Sequence, residues 1–161
     1  MTTARPPRGG IVCGVDGSAH ARLAAKAALS LADRLGTPLT LVHVAPVRTL
    51  LPVASLPADV DPSAYPRSVE VAEAQAAESF GSLSSELNRP DVARKVRLGE
   101  PATVLAEFAA ENAAEFIVVG SRGRGVWRSA VLGSVSAELV RLAYCPVMVV
   151  PDLALEKQRT A

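Results

Sequence analysis

The sequence is poor in the features that mark several classes of protein. Aromatic residues make up only 4% of its 161 residues, and its two cysteines, Cys13 and Cys145, are too few for a disulfide framework. Seventeen basic residues against sixteen acidic ones leave a net charge of +1, which gives no electrostatic field for nucleic acid or an anionic membrane. No apolar run reaches the roughly 18 residues of a membrane span, and no secretory signal is recognisable near the N-terminus. We therefore expect a cytoplasmic protein whose cysteines are reduced core residues.

Apolar residues are abundant, at 49% of the chain, which excludes a disordered protein. A domain of about 150 residues buries roughly 70% of the surface that its unfolded chain exposes, so a stable core needs no disulfide or metal. We predict a flexible N-terminus over residues 1–10, a single domain over 11–151 and a polar tail over 152–161. The excess of arginine over lysine suggests a bacterial source with a GC-rich genome.

Short apolar runs alternate with helical periodicities along the chain. Strands are predicted over residues 11–15, 39–44, 92–98, 116–119 and 146–150, with a helical pattern in each interval between them. A segment over 45–66 with five prolines is predicted to be a long loop before the second helix. This order predicts an α/β fold, a five-stranded parallel sheet with helices on both faces. The basic residues of the third strand favour an edge position.

Helix ends and helix faces follow from the same patterns. Ser18 and Gly36 are predicted to cap the first helix, and Pro101 to begin the third. The first helix carries a stripe that includes Leu23 and Leu35, and the last helix carries a stripe that begins at Leu132.

The loop after the fourth strand, residues 120–136, has the composition of a phosphate-binding loop. Its glycines let backbone amides approach a ligand, and its arginines offer guanidinium groups to phosphate oxygens. The next helix begins near Gly133 and Ser134, and a helix N-terminus attracts anions. The residues that we expect to form this cradle are Gly120, Ser121, Arg122, Gly123, Arg124, Gly133, Ser134, Val135 and Ser136.

Two other phosphate-binding motifs are excluded by spacing. Gly120 and Gly125 have the separation of a Walker A loop, but Val126 and Trp127 stand where Lys and Ser or Thr are required. A dinucleotide fingerprint needs Gly-x-Gly-x-x-Gly at the first helix, where the chain has only Gly14 and Gly17.

The pattern Gly120-x2-Gly123-x9-Gly133-Ser134 resembles the nucleotide-binding motif of the universal stress protein family. The resemblance extends over nearly the whole chain, through the segments 14–18, 41–44, 99–101 and 145–147. It implies a Rossmann-like domain that binds ATP accompanied by Mg²⁺, although the sequence shows no dedicated carboxylate cage for the ion.

The resemblance also implies roles for individual residues. Asp16 would contact the adenosine moiety, with Val15, Gly17 and Ser18 beside it, and Val44 and Val119 would pack near adenine. The residues that would hold ribose and phosphates are Gly120, Gly123, Gly133, Ser134, Val135 and Ser136. Members of the family dimerise through the last strand, which points here to Val147, Met148, Val149 and Val150.

Several residues have a second interpretation that the sequence leaves open. Arg122 and Arg124 are either phosphate ligands or solvated side chains, and Trp127 either covers the pocket or packs on a helix. Asp16 either binds nucleotide or assists Ser18 in capping the helix. His20 is predicted to be exposed to solvent, and His43 is predicted to be a hydrogen-bonded core residue.

An enzymatic function is not expected. Adenylyl-transferring enzymes carry a His-x-Gly-His signature, which Gly17-Ser18-Ala19-His20 does not match. An efficient ATPase needs a base and a metal clamp, and residues 120–136 contain no Asp or Glu. The expected function is a regulatory, stress-linked nucleotide-binding module. The alternatives are a slow ATPase and a nucleotide-free dimeric interaction protein.

Overall fold

The computed structural model describes residues 9–45, 66–122 and 132–151. Five strands and four helices alternate along these residues. In chain order they are β1 (Ile11–Val15), α1 (Ala19–Leu35), β2 (Leu39–Ala45), α2 (Pro66–Leu87), β3 (Ala93–Leu98), α3 (Pro101–Glu111), β4 (Phe116–Gly120), α4 (Ser134–Leu142) and β5 (Val147–Val150).

The five strands form one parallel sheet in the order β3-β2-β1-β4-β5. This confirms the predicted fold class and the predicted edge position of β3. The chain runs outward from β1 through β2 to β3, then crosses back to β4 on the other side of β1. The carboxyl ends of β1 and β4 therefore flank the point where the strand order reverses, which is where open α/β sheets bind ligands.

Each face of the sheet is covered by a pair of helices. Helices α1 and α2 pack on one face around Cys13, Leu41 and Leu83. Helices α3 and α4 pack on the other face around Ile117 and Leu139. The apolar residues of neighbouring positions along β1 alternate between these two cores, as the period of a strand requires.

The buried face of α1 differs from the predicted one. Leu23 and Leu35 are 39% and 49% exposed, so the predicted leucine stripe is wrong at these positions. The buried residues are alanines instead, namely Ala21, Ala24, Ala25, Ala28 and Ala32. Since an alanine side chain is a single methyl group, this face lets α1 lie close against the centre of the sheet. Leucine periodicity is misleading here because the small residues form the contact.

The predicted helix ends at Ser18, Gly36 and Pro101 are confirmed. The Ser18 hydroxyl accepts a hydrogen bond from the amide of Ala21 at 3.1 Å, and Gly36 has the left-handed φ of 64°. The prediction that the last helix includes Leu132 is wrong, because α4 begins at Ser134 and Leu132 precedes it.

Three predicted segments lie wholly or largely outside the described residues: the N-terminus up to residue 8, the proline-rich segment over 46–65 and the tail over 152–161. Within the described part of the chain, no helix is long and apolar enough to cross a membrane.

Candidate functional site

A cavity of about 590 Å³ lies at the carboxyl ends of β1, β2 and β4, on the face that α3 and α4 cover. Its volume is within the range of small-molecule binding sites, and its place is the reversal point of the strand order. Most of the predicted site residues line it: Val15, Asp16, Val44, Val119, Gly120, Arg122, Gly133, Ser134, Val135 and Ser136.

Asp16 follows β1 and lines the cavity in a half-buried position. Its Oδ1 atom accepts a hydrogen bond from the backbone N–H of Ser18 at 2.9 Å. The helix cap itself is supplied by the Ser18 hydroxyl. Asp16 thus stabilises the turn and also faces the cavity, so the two interpretations of this residue are compatible.

Three predicted residues lie beside the cavity instead of lining it: Gly17, Ser18 and Ser121. Gly17 turns the chain with a φ of 81°, and the Ser18 hydroxyl is engaged as the helix cap. Ser121 is buried, and its carbonyl accepts hydrogen bonds from Gly133 N–H at 2.6 Å and from Ser136 Oγ at 3.4 Å. These residues build the walls of the site, and their contact with a ligand stays a prediction. Gly123 and Arg124 lie outside the described residues.

The N-terminus of α4 opens into the cavity. Gly133 is the N-cap residue, and none of the described side chains caps the first turn of this helix. The amides of Ser134 and Val135 belong to that turn, in which N–H groups have no carbonyl partner inside the helix. Backbone amides in this arrangement bind anions, and the helix dipole adds positive potential.

The two serines of α4 differ in what they offer to a ligand. Ser136 is 2% exposed, and its hydroxyl donates to the carbonyl of Gly133 at 3.0 Å. Ser134 is exposed and lines the cavity. Of the two hydroxyls, that of Ser134 is therefore better placed to donate to a bound phosphate.

Gly120 has a packing role that the sequence does not reveal. A Cβ atom built on Gly120 would lie 2.8 Å from the carbonyl carbon of His20 and 2.8 Å from its Cβ. The first turn of α1 is therefore in direct contact with the end of β4. His20 is half-buried in this contact, so its predicted solvent-exposed position is wrong.

The remaining lining residues are ones that sequence reasoning assigned to the core or left without a role. Periodicity places Val42 and Leu105 on faces directed toward the sheet core, but a residue at the end of such a face also lines the cavity at the sheet edge. The other residues of this kind are Gly14, Ala21, Pro101 and Leu132.

The cysteines are not part of this chemistry. Burial raises the pKa of the Cys13 thiol to about 12, and desolvation also raises the pKa of the half-buried Cys145. Both groups are therefore neutral thiols at neutral pH, which agrees with the predicted role for Cys13 in the core. Among the described residues, no group of three or more His, Cys, Asp or Glu side chains is arranged to hold a metal ion.

Comparison with protein families identifies a match over almost the entire domain. The model of the universal stress protein family matches residues 8–151. A universal stress protein of Mycobacterium tuberculosis is 34% identical over an alignment that covers 88% of this chain and 47% of the relative. The chain thus spans about half the length of this curated relative.

Solved structures agree on the fold. The universal stress protein UspA of Lactobacillus plantarum has a TM-score of 0.69 at 22% identity, over 91% of this chain and 99% of the other. A universal stress protein of Archaeoglobus fulgidus, solved in complex with dAMP, has a TM-score of 0.59 at 22% identity and covers 88% of this chain and 96% of its own. A further universal stress protein structure, in complex with cAMP, has a TM-score of 0.60 at 22% identity over 90% of this chain and 98% of the other.

Proposed function

The chain belongs to the universal stress protein family, and we propose that it binds an adenine nucleotide, ATP in the first instance, as a regulatory module of the stress response. One observation carries this proposal. The cavity at the strand reversal point brings together an apolar floor, the carboxyl group of Asp16 and the open N-terminus of α4. The dAMP and cAMP complexes of two structural neighbours support the choice of an adenine nucleotide.

The parts of the cavity suit the parts of the nucleotide. The base would lie against Val44 and Val119, and the ribose hydroxyls would donate to the carboxylate of Asp16. The phosphates would accept hydrogen bonds from the first-turn amides of α4 and from the Ser134 hydroxyl. Arg122, which also lines the cavity, would add a charged donor.

Magnesium would enter with the phosphates. The described residues offer no cluster of carboxylates for a resident ion. Mg²⁺ commonly keeps several waters and is bound through substrate phosphates with one or two carboxylates. Asp16 is the one carboxylate among the described lining residues, so the ion would neutralise phosphate charge without a protein cage.

We propose that the protein is not an enzyme, and that any ATP hydrolysis is slow. The Asp16 carboxylate already accepts the Ser18 amide, so it is poorly suited to act as a general base. The expected turnover is below about one per minute, whereas ordinary enzymes turn over at roughly 1 per second or faster. A faster turnover in purified protein, abolished together with nucleotide binding, would contradict this proposal in favour of an ATPase.

We further propose a homodimer that forms through β5. This strand is an edge of the sheet, and its Met148 side chain is 38% exposed. An apolar edge strand is a template for pairing with a second strand. Light scattering should give twice the chain mass, and Met148→Lys should lower the association constant. A monomer at micromolar concentration would contradict the dimer but leave nucleotide binding untouched.

The decisive experiment measures nucleotide in the purified protein and titrates the emptied protein with ATP and Mg²⁺. Asp16→Asn keeps the acceptor for the Ser18 amide but removes the charge. We expect at least about a tenfold rise in Kd, since a hydrogen bond to a charged group contributes about 1.5–3 kcal/mol. Asp91→Asn is the matched control, because Asp91 lies just before β3 at the opposite end of the strands. Wild-type protein that is empty and fails to bind ATP would contradict the proposed function and favour the nucleotide-free interaction protein.

A further inference from the structure

The carbonyl groups of the two residues next to Asp16 are each held by a side chain, one from β2 and one from the start of α1. The Nδ1 atom of His43 lies 3.1 Å from the carbonyl oxygen of Val15, the residue before Asp16. A carbonyl oxygen only accepts, so Nδ1 carries the proton in this contact. On the other side, Nη1 of Arg22 donates to the carbonyl of Gly17 at 3.3 Å.

Both side chains also contact α2. The ring of His43 meets the ring of Phe80 edge to face, with centroids 6.3 Å apart and planes at 72°. The Nε atom of Arg22 lies 3.6 Å from Oε1 of Glu86, whose other oxygen binds Nζ of Lys26 at 2.8 Å. Hydrogen bonding to Lys26 lowers the pKa of Glu86, so the Glu86 carboxylate is charged at neutral pH.

The turn that these contacts restrain contains a glycine beside the hydrogen bond from the Ser18 N–H group to the Asp16 carboxylate. Gly17 adopts a φ of 81°, and a glycine loses more conformational freedom on ordering than any other residue. The Val15–Asp16 peptide adjoins the Cα atom of Asp16 and the Gly17–Ser18 peptide lies one residue further on, so restraint of both carbonyls limits the directions open to the Asp16 carboxyl group. His43 is 5% exposed and opposite Val15 in the sheet register, so it holds its plane from a fixed position.

We propose that His43 and Arg22 are positioning residues for Asp16, and that α2 sets the nucleotide affinity of the site through them. This inference rests on the proposed function, since it concerns the affinity of the same cavity. Helix α2 packs on the face opposite to the cavity. A change in the position of α2 would therefore alter nucleotide binding without any contact between α2 and the ligand.

The first test compares two substitutions of His43. Asn places an N–H donor near the position of Nδ1, whereas Leu fills similar space without a donor. We expect His43→Leu to raise the Kd for ATP with Mg²⁺ about tenfold and His43→Asn to raise it less than about threefold. Folding stability should not follow this order, because Leu suits a buried site better than Asn. A merely structural role for His43 predicts that Kd changes follow the stability changes, which would overturn the inference.

The second test uses the ion pair of Arg22 and Glu86 at the surface, where we expect substitutions to have little effect on folding stability. Arg22→Gln removes the contact with Gly17, and we expect about a threefold rise in Kd. Lys26→Gln is the matched control, since Lys26 binds the same Glu86 carboxylate and, among the described residues, forms no hydrogen bond or ion pair with the turn. Glu86→Gln should raise Kd in the same direction as Arg22→Gln, although Glu86 does not line the cavity.

The outcomes separate the inference from the proposed function. If wild-type protein binds no adenine nucleotide, both fail. If it binds, and His43→Leu and Arg22→Gln bind equally well, only the inference fails. Rescue by His43→Asn, together with unchanged binding in Lys26→Gln, supports the inference.

Discussion

The contact between Gly120 and the first turn of α1 leads to a quantitative prediction about stability. Gly120 closes β4, where its backbone conformation is open to any residue, so only space restricts it. The Cβ of Gly120→Ala would lie 2.8 Å from the carbonyl carbon of His20 and 2.9 Å from its oxygen. These are backbone atoms, which cannot rotate away as the end of a flexible side chain does. Either α1 shifts or the end of β4 does.

The expected cost is about 1–3 kcal/mol, the usual penalty for overpacking a close-packed region. For a domain of this size, each kcal/mol shifts Tm by about 2–4 °C, so Tm should fall by about 2–12 °C. Nucleotide affinity should fall too, since Gly120 lines the cavity and α1 begins three residues after Asp16. Thermal and urea unfolding measure the first effect, and calorimetric titration with ATP measures the second.

Gly81→Ala is a control with the same chemical change and the opposite expected sign. Gly81 lies inside α2, and a Cβ there meets nothing within 4 Å. Alanine in place of glycine within a helix stabilises by about 0.5–1 kcal/mol. Gly36→Ala separates strain from crowding, because the position is open but has a φ of 64°, and we expect it to cost about 1 kcal/mol. Equal stability of Gly120→Ala and wild type would refute the packing argument.

Three further predictions concern single groups. Ser136→Ala should destabilise the fold by about 1 kcal/mol, measured by urea unfolding, because it removes a buried hydroxyl that donates to backbone carbonyls. The Arg89 hydrogen bond lowers the pKa of Asp91 to about 2, so its stabilising effect is present above the unfolded pKa near 3.8 and is lost as pH falls toward 2. The stability deficit of Arg89→Gln should therefore shrink over that interval in acid titrations. Mass spectrometry after iodoacetamide treatment at pH 8 should find Cys13 unmodified in native protein, since its thiol pKa is about 12, and alkylated after unfolding. Modification of native Cys13 at the rate of a free thiol would contradict its burial.

The fold could be predicted from the sequence because its signals are local. Each strand is a short apolar run, and the ends of α1 and α3 are marked by Ser18, Gly36 and Pro101, whose roles depend on neighbouring residues alone. The order of the strands is a different matter. Only the edge position of β3 follows from its basic residues, and the place of β4 beside β1 depends on packing across the whole sheet.

The site was predicted less completely, for a reason visible in α1 and at Gly120. The alanines of α1 are buried because their small side chains allow the helix to lie close to the sheet. This closeness depends on the fit between two surfaces, which the periodicity of large residues does not indicate. Gly120 matches a ligand-binding motif, so its lack of a side chain is interpreted from the sequence as space for the ligand. In the structure that space is taken by the backbone of His20. The apolar floor at Leu105 is likewise indistinguishable from ordinary core in the sequence.

The polar residues of the site also have structural roles that the sequence does not reveal, and these roles bear on ligand specificity. The predicted site residues include several hydroxyls, but those of Ser18 and Ser136 already serve the helix cap and the Gly133 carbonyl. Among the described residues, the polar groups that can contact a ligand are the Asp16 carboxyl group, the Ser134 hydroxyl, the first-turn amides of α4 and Arg122, which also lines the cavity. In the proposed complex the Asp16 carboxyl group lies at the ribose side, the other groups lie at the phosphate side, and the base faces an apolar floor. Under that proposal, shape governs selection of the base, and discrimination among ATP, ADP and AMP depends on how many phosphate oxygens the start of α4 can bind.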